Sequence, residues 1–156
     1  MAKNKKPRRK YNPLRHIRAD KNLPTLADMY QLFDPIYKTL DDLASGEVVS
    51  VRGIPVMLFD GVWAEIHEAM MGWAACWQRI CDDQGVQYDP APLNRMAKKL
   101  ENGVLLELED IERARAVIDL TKAVFLRTPA HILKKHSITE QIAIELEKQD
   151  LIKEAA

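Results

Sequence analysis

Imidazoles, thiols and clustered carboxylates are the side chains that could do chemistry in this chain. Histidine comes first because it titrates near neutral pH and ligates metals. His67-Glu68 opens the helical zinc motif H-E-x-x-H, in which two imidazoles four residues apart share one helix face. Met71 stands where the second histidine belongs, so that ligand pair does not form. His131 and His136 are five apart with no acidic residue between them. All four histidines, His16 included, read as ordinary surface or part-buried side chains rather than as ligands or catalysts.

Cys76 and Cys81 are also five apart. On a helix that spacing turns them about 140° from one another, too far round for a disulfide. The spacing is not C-x-x-C either, so the pair reads as two reduced, partly buried thiols. No G-x-S-x-G elbow occurs, and the six glycines stand singly, with no phosphate-cradling G-x-x-x-x-G-K-[ST] or G-x-G-x-x-G. Asp41-Asp42 and Asp82-Asp83 are adjacent carboxylates, and helix neighbours diverge rather than form an acid–base couple. The chain therefore reads as non-enzymatic, with no cofactor and no metal. An enzyme whose site is assembled from dispersed residues stays open as an alternative.

Two features point to binding. Lys3, Lys5, Lys6, Arg8, Arg9 and Lys10 precede Tyr11, and Arg15 and Arg18 follow. The cations could each neutralise a phosphate and the tyrosine could stack on a base, so these nine residues are candidate nucleic-acid contacts. Residues 1–22 hold nine basic side chains against Asp20 alone, a net +8, and the other 134 residues carry −8. A zero net charge thus conceals a basic arm on an acidic body, an arm that meets a polyanion or folds onto an acidic face. The second feature is a stripe in which Trp63, Ile66, Met70, Trp73, Trp77 and Ile80 follow at spacings of 3, 4, 3, 4 and 3. Such a seam packs a helix lengthwise against others. Trp63, Met70, Trp73 and Trp77 are either core or a partner interface, where tryptophan is enriched.

These residues need elements to hold them. Residues 1–22, interrupted by Pro7 and Pro13, show no sustained apolar period and are expected to be a disordered tail. Thr25 and Asp28 form a near capping box, and Leu26, Met29, Tyr30 and Phe33 follow at helical spacing. Asp34-Pro35 is expected to restart or kink that helix, which ends at Ser45-Gly46. Val48, Val49, Val51, Ile54, Val56 and Phe59, punctuated by Arg52-Gly53 and Asp60-Gly61, predict a short hairpin over about 47–60, with Pro55 at an edge or first position. Helices are expected over about 62–83, from Leu93 to Gly103, and over about 109–127, with Asp82 and Asp83 opposing the first helix's dipole. A short helix after Thr128-Pro129 and a last one capped by Ser137 and Glu140, with Ile138, Ile142 and Leu146 inside, complete the pattern.

The expectation is a single mainly α domain over 23–156, a small bundle of six to seven helical segments with one hairpin. No apolar run reaches the roughly 18 residues that span a bilayer, and no secretion-type apolar stretch follows the basic start, so no membrane is expected. The layout resembles small bacteriophage and prophage proteins, through Lys5-Lys6-Pro7-Arg8-Arg9-Lys10-Tyr11 and the short helices that follow. The resemblance implies binding to a host protein or nucleic acid in a bacterial or phage-infected cytoplasm. The functional expectation is a non-enzymatic protein whose helical body engages a protein partner or itself. Its tail would touch DNA, RNA or an acidic surface. A nucleic-acid-binding regulator is the competing reading, although its groove-reading helix would carry Glu140, Glu145 and Glu147 toward phosphate.

Overall fold

Thr25 caps the first helix as the sequence predicts. Its Oγ1 accepts the Asp28 N–H at 3.1 Å, while the Asp28 carboxylate accepts the Thr25 N–H at 3.0 Å. The computed structural model describes residues 23–59 and 61–137. The basic tail, the capping residues Thr139 and Glu140, and the apolar positions Ile138, Ile142 and Leu146 lie outside them.

Helix α1 runs unbroken over Leu26–Ser45 with Pro35 inside it, so the expected restart does not occur. Proline removes one backbone bond there, to the carbonyl of exposed Gln31. The buried stripe Met29, Phe33, Ile36 and Leu40 continues through it in phase, and packing of that stripe outweighs the local penalty. Met29 and Phe33 are buried as the spacing predicts, whereas Leu26 and Tyr30 are exposed.

The expected hairpin is two strands of a three-stranded antiparallel sheet: β1 (Val49–Val51), β2 (Ile54–Phe59) and β3 (Val62–Glu65), in spatial order β1-β2-β3. Arg52 and Gly53 sit at φ 54° and 79°, the pair of positive values that a two-residue type I′ turn demands. Pro55 is in the central strand rather than at an edge. It faces Ser50 on β1, one step from the turn pair Val51 and Ile54, so its nitrogen points toward the β3 side. There β3 ends at Glu65 opposite Val56, and no ladder bond is lost.

The third strand corrects a helix boundary. Val62–Glu65, read as the first turn of the tryptophan helix, pairs with β2 through Val62 to Phe59 and Trp63 to Leu58. A β-branched residue beside an aromatic one favours the strand. Helix α2 begins at Ile66 and ends at Gln84. Gly85 at φ 66° closes it by donating to the Asp82 and Cys81 carbonyls.

Helix α3 (Ala91–Glu101) and helix α4 (Leu108–Phe125) follow. Asp110 accepts from the Glu107 N–H at 2.9 Å and from Lys99 Nζ at 2.8 Å, which caps α4 and ties it to α3. Ile111, Ala114, Ile118, Thr121 and Phe125 are all buried, as their spacing predicts. Buried Thr128 donates to the Val124 carbonyl at 2.7 Å and turns the chain. Residues 130–137, here α5, are then helical; the capping box expected from Ser137 to Glu140 extends outside the described residues. Five helical segments stand among the described residues, not six to seven.

At the centre, Phe33 meets Trp73 edge-on at 5.1 Å and Phe125 at 5.6 Å, with Trp77 at 6.1 Å. Arg115 donates to Asp41 at 2.6 Å and Tyr37 donates to Asp119, which fastens α1 to α4. Among the described residues, no helix is long and apolar enough to cross a membrane.

Candidate interaction surfaces of the sheet and the helical groove

Strand pairing places Val49, Val51, Ile54, Val56, Leu58 and Trp63 on one face of the sheet. Val49 is 53% exposed, Val51 55%, Ile54 39%, Leu58 49% and Trp63 57%. With ordinary side-chain areas this is roughly 450 Å² of contiguous apolar surface, within the range that marks interaction sites. Lys38 and Asp42 of α1, paired at 3.5 Å, border one side of it across a groove of about 490 Å³. Exposed Glu47 and Arg52 flank β1 at its two ends.

The opposite face of the sheet, Met57, Phe59 and Ala64, lines a second and larger groove of about 830 Å³. Its other walls come from α1, α2, α5 and the end of α4, with Ile36, Trp73, Leu133 and Phe125 among them. Leu23 and Pro24 form one lip, and Asp28, Glu68 and Lys134 are its charged groups among the described residues. Beside Glu68 stand Glu65 and His67, with one ligand-type atom from each lying within 4.8 Å of the others. His67 Nε2 is 3.4 Å from the Glu65 carboxylate. Two carboxylates and an imidazole so close could hold a cation, either a metal ion or a guanidinium.

Each resolved pKa shift moves its group away from neutrality. Burial pushes the Cys81 thiol up to about 11. Burial raises Tyr37, aided by its bond to Asp119, and burial raises Tyr88 as well. The hydrogen bond from His136 holds Asp83 below the usual carboxylate range, and the bond from Lys99 does the same for Asp110. These shifts belong to groups that stabilise the fold rather than to an acid or base poised near pH 7.

Of the four aromatic and methionine interface candidates, Met70 and Trp77 are buried and Trp73 is part-buried against the core. Trp63 stands on the open sheet face. The tail residues Lys3, Lys5, Lys6, Arg8, Arg9, Lys10, Tyr11, Arg15 and Arg18 lie outside the described residues. His131 is exposed, and His136 pairs with Asp83 at 2.8 Å, which docks α5 on the acidic end of α2. Cys76 is part-buried and Cys81 is buried. The apolar sheet face escaped the sequence reading. Its signal was the run Ile54–Phe59, apolar throughout instead of alternating. No protein-family model, curated protein or solved structure matches the chain.

Proposed function

We propose that the chain is a non-enzymatic binding protein that pairs with a second copy of itself through the outer sheet face. Its basic arm gives the pair an electrostatic grip on nucleic acid or another acidic surface. The observation that carries this is the apolar face around Trp63. A strand with one solvated face alternates, whereas β2 is apolar on both sides, the pattern of a strand covered twice. Two such faces together would bury roughly 900 Å² of apolar surface, and the polar rim brings the contact toward the roughly 1,200 Å² of a stable interface.

A two-fold axis running across the strands sets Arg52 of one copy near Glu47 of the other, a match that a symmetric pair makes twice. Trp63, on edge strand β3, is the large aromatic anchor of the face. Pairing would also bring together two arms of nine cations each, and polyanion binding would then fall steeply with salt. The resemblance to small phage and prophage proteins favours the same reading, in a bacterial or phage-infected cytoplasm.

Light scattering on the size-exclusion peak tests the pairing. The wild type is expected as a dimer, and Leu58→Glu with Trp63→Ala as a monomer of unchanged far-UV circular dichroism. A wild type that stays strictly monomeric at every concentration refutes self-association. Titration of a DNA or RNA oligonucleotide with and without residues 2–18 tests the arm, whose deletion should abolish binding.

A further inference from the structure

We propose that the larger groove, bounded by α1, the inner sheet face, α2 and α5, is the docking site for residues 11–22 of the same chain. The groove opens at the point where that segment joins the body: Leu23 and Pro24 form its lip, and half-exposed Leu23 is the first described residue. A segment tethered at the lip meets the groove at an effective concentration in the millimolar range, so even weak contacts suffice.

The segment's chemistry fits the groove on two counts. Asn12-Pro13 is the sequence signature of a helix start. In a helix begun there, Leu14 and Ile17 lie one turn apart on a side flanked by Arg15 and Arg18, also one turn apart. The two apolar side chains match walls made by Ile36, Phe59, Trp73 and Leu133. Arg15 and Arg18 match the two carboxylates among the groove's described lining residues, Asp28 and Glu68. A guanidinium fork set against a carboxylate satisfies its own donors while pairing the charge. Among the described lining residues the one opposing charge is Lys134. The +8 of residues 1–22 and the −8 of the rest supply the longer-range attraction. This docking does not depend on the pairing of sheet faces, which uses the other side of the sheet.

Limited trypsin digestion of the full chain, read by mass spectrometry, tests it. The bonds after Arg15 and Arg18 should be cut at least about tenfold more slowly than the bond after Lys10, because a docked segment is cleaved only when it opens. Leu14→Glu with Ile17→Glu keeps helix propensity, leaves the body untouched and should abolish that difference. Ala69→Glu, which places a charge in the groove wall, should do the same from the other side. Equal cleavage at Lys10, Arg15 and Arg18 in the wild type overturns the proposal, as does a difference that survives the Leu14 and Ile17 changes. Protection that grows with protein concentration overturns it too, by placing the segment in another copy's groove.

Discussion

Phe33 gives the sharpest test of how the core is held. Its ring is 1% exposed, meets Trp73 at 5.1 Å and 89° and Phe125 at 5.6 Å and 72°, and lies 6.1 Å from Trp77. Phe33→Leu keeps most of the buried carbon and loses the two edge-on ring pairs, each worth about 0.5–1.5 kcal/mol, so it should cost about 1–3 kcal/mol. Phe33→Ala also opens a cavity beneath the groove wall and should cost about 3–5 kcal/mol. In a domain of about 5–15 kcal/mol total stability, the alanine variant remains folded at 25 °C with a melting temperature lower by about 10 °C. Urea unfolding followed by far-UV circular dichroism and by tryptophan emission measures both variants, since Trp73 and Trp77 report from the cluster itself. A cost below about 1 kcal/mol for the alanine change would refute this account of the core. Equal costs for leucine and alanine would show that ring orientation contributes nothing.

Two further outcomes follow from titration. Asp28, Asp83 and Asp110 all have depressed carboxyl pKa values, from hydrogen bonds to Thr25, His136 and Lys99 respectively. Their stabilisation is present above the unfolded value of about 3.9 and is lost as pH falls through the lower folded values, so the melting temperature should drop below about pH 4. Asp110→Asn should flatten that drop. These carboxylates are solvent-screened, so each step is small, and a melting temperature constant from pH 6 to pH 2 would contradict the assignment. Cys81, whose thiol burial pushes up to about 11, should resist iodoacetamide at pH 8 in the folded protein and react once urea unfolds it. Rapid native alkylation at Cys81 would show that the thiol is not buried.

Where sequence and structure agree, local chemistry decided the outcome. The Thr25–Asp28 box and the spacing of Ile111, Ala114, Ile118, Thr121 and Phe125 lie within single helices. Each could be read without knowing what packs on it. Pro35 does not restart the helix because its local penalty is outweighed by the stripe from Met29 to Leu40, a property of packing rather than of the dipeptide. Trp63 misled because a spacing of three to Ile66 suits a helix, while its partner Leu58 is five residues back across a turn. His136 looked unpartnered because Asp83 is 53 residues away in the chain.

The two candidate surfaces share one cause. Strand β2 contributes Met57 and Phe59 to the groove and Ile54, Val56 and Leu58 to the open face, so one six-residue run supplies apolar walls in both directions. A soluble edge hairpin would carry polar residues on its outer side. Here the outer side holds two valines of β1, three aliphatics of β2 and Trp63, and the charges are pushed to Glu47, Arg52 and Glu65 at its margins. Solubility alone does not produce that distribution, because exposed apolar surface on a sheet invites non-specific pairing. The proposed pairing of sheet faces would account for it, and Trp63, which the helical reading had buried in a seam, is the residue it would cover.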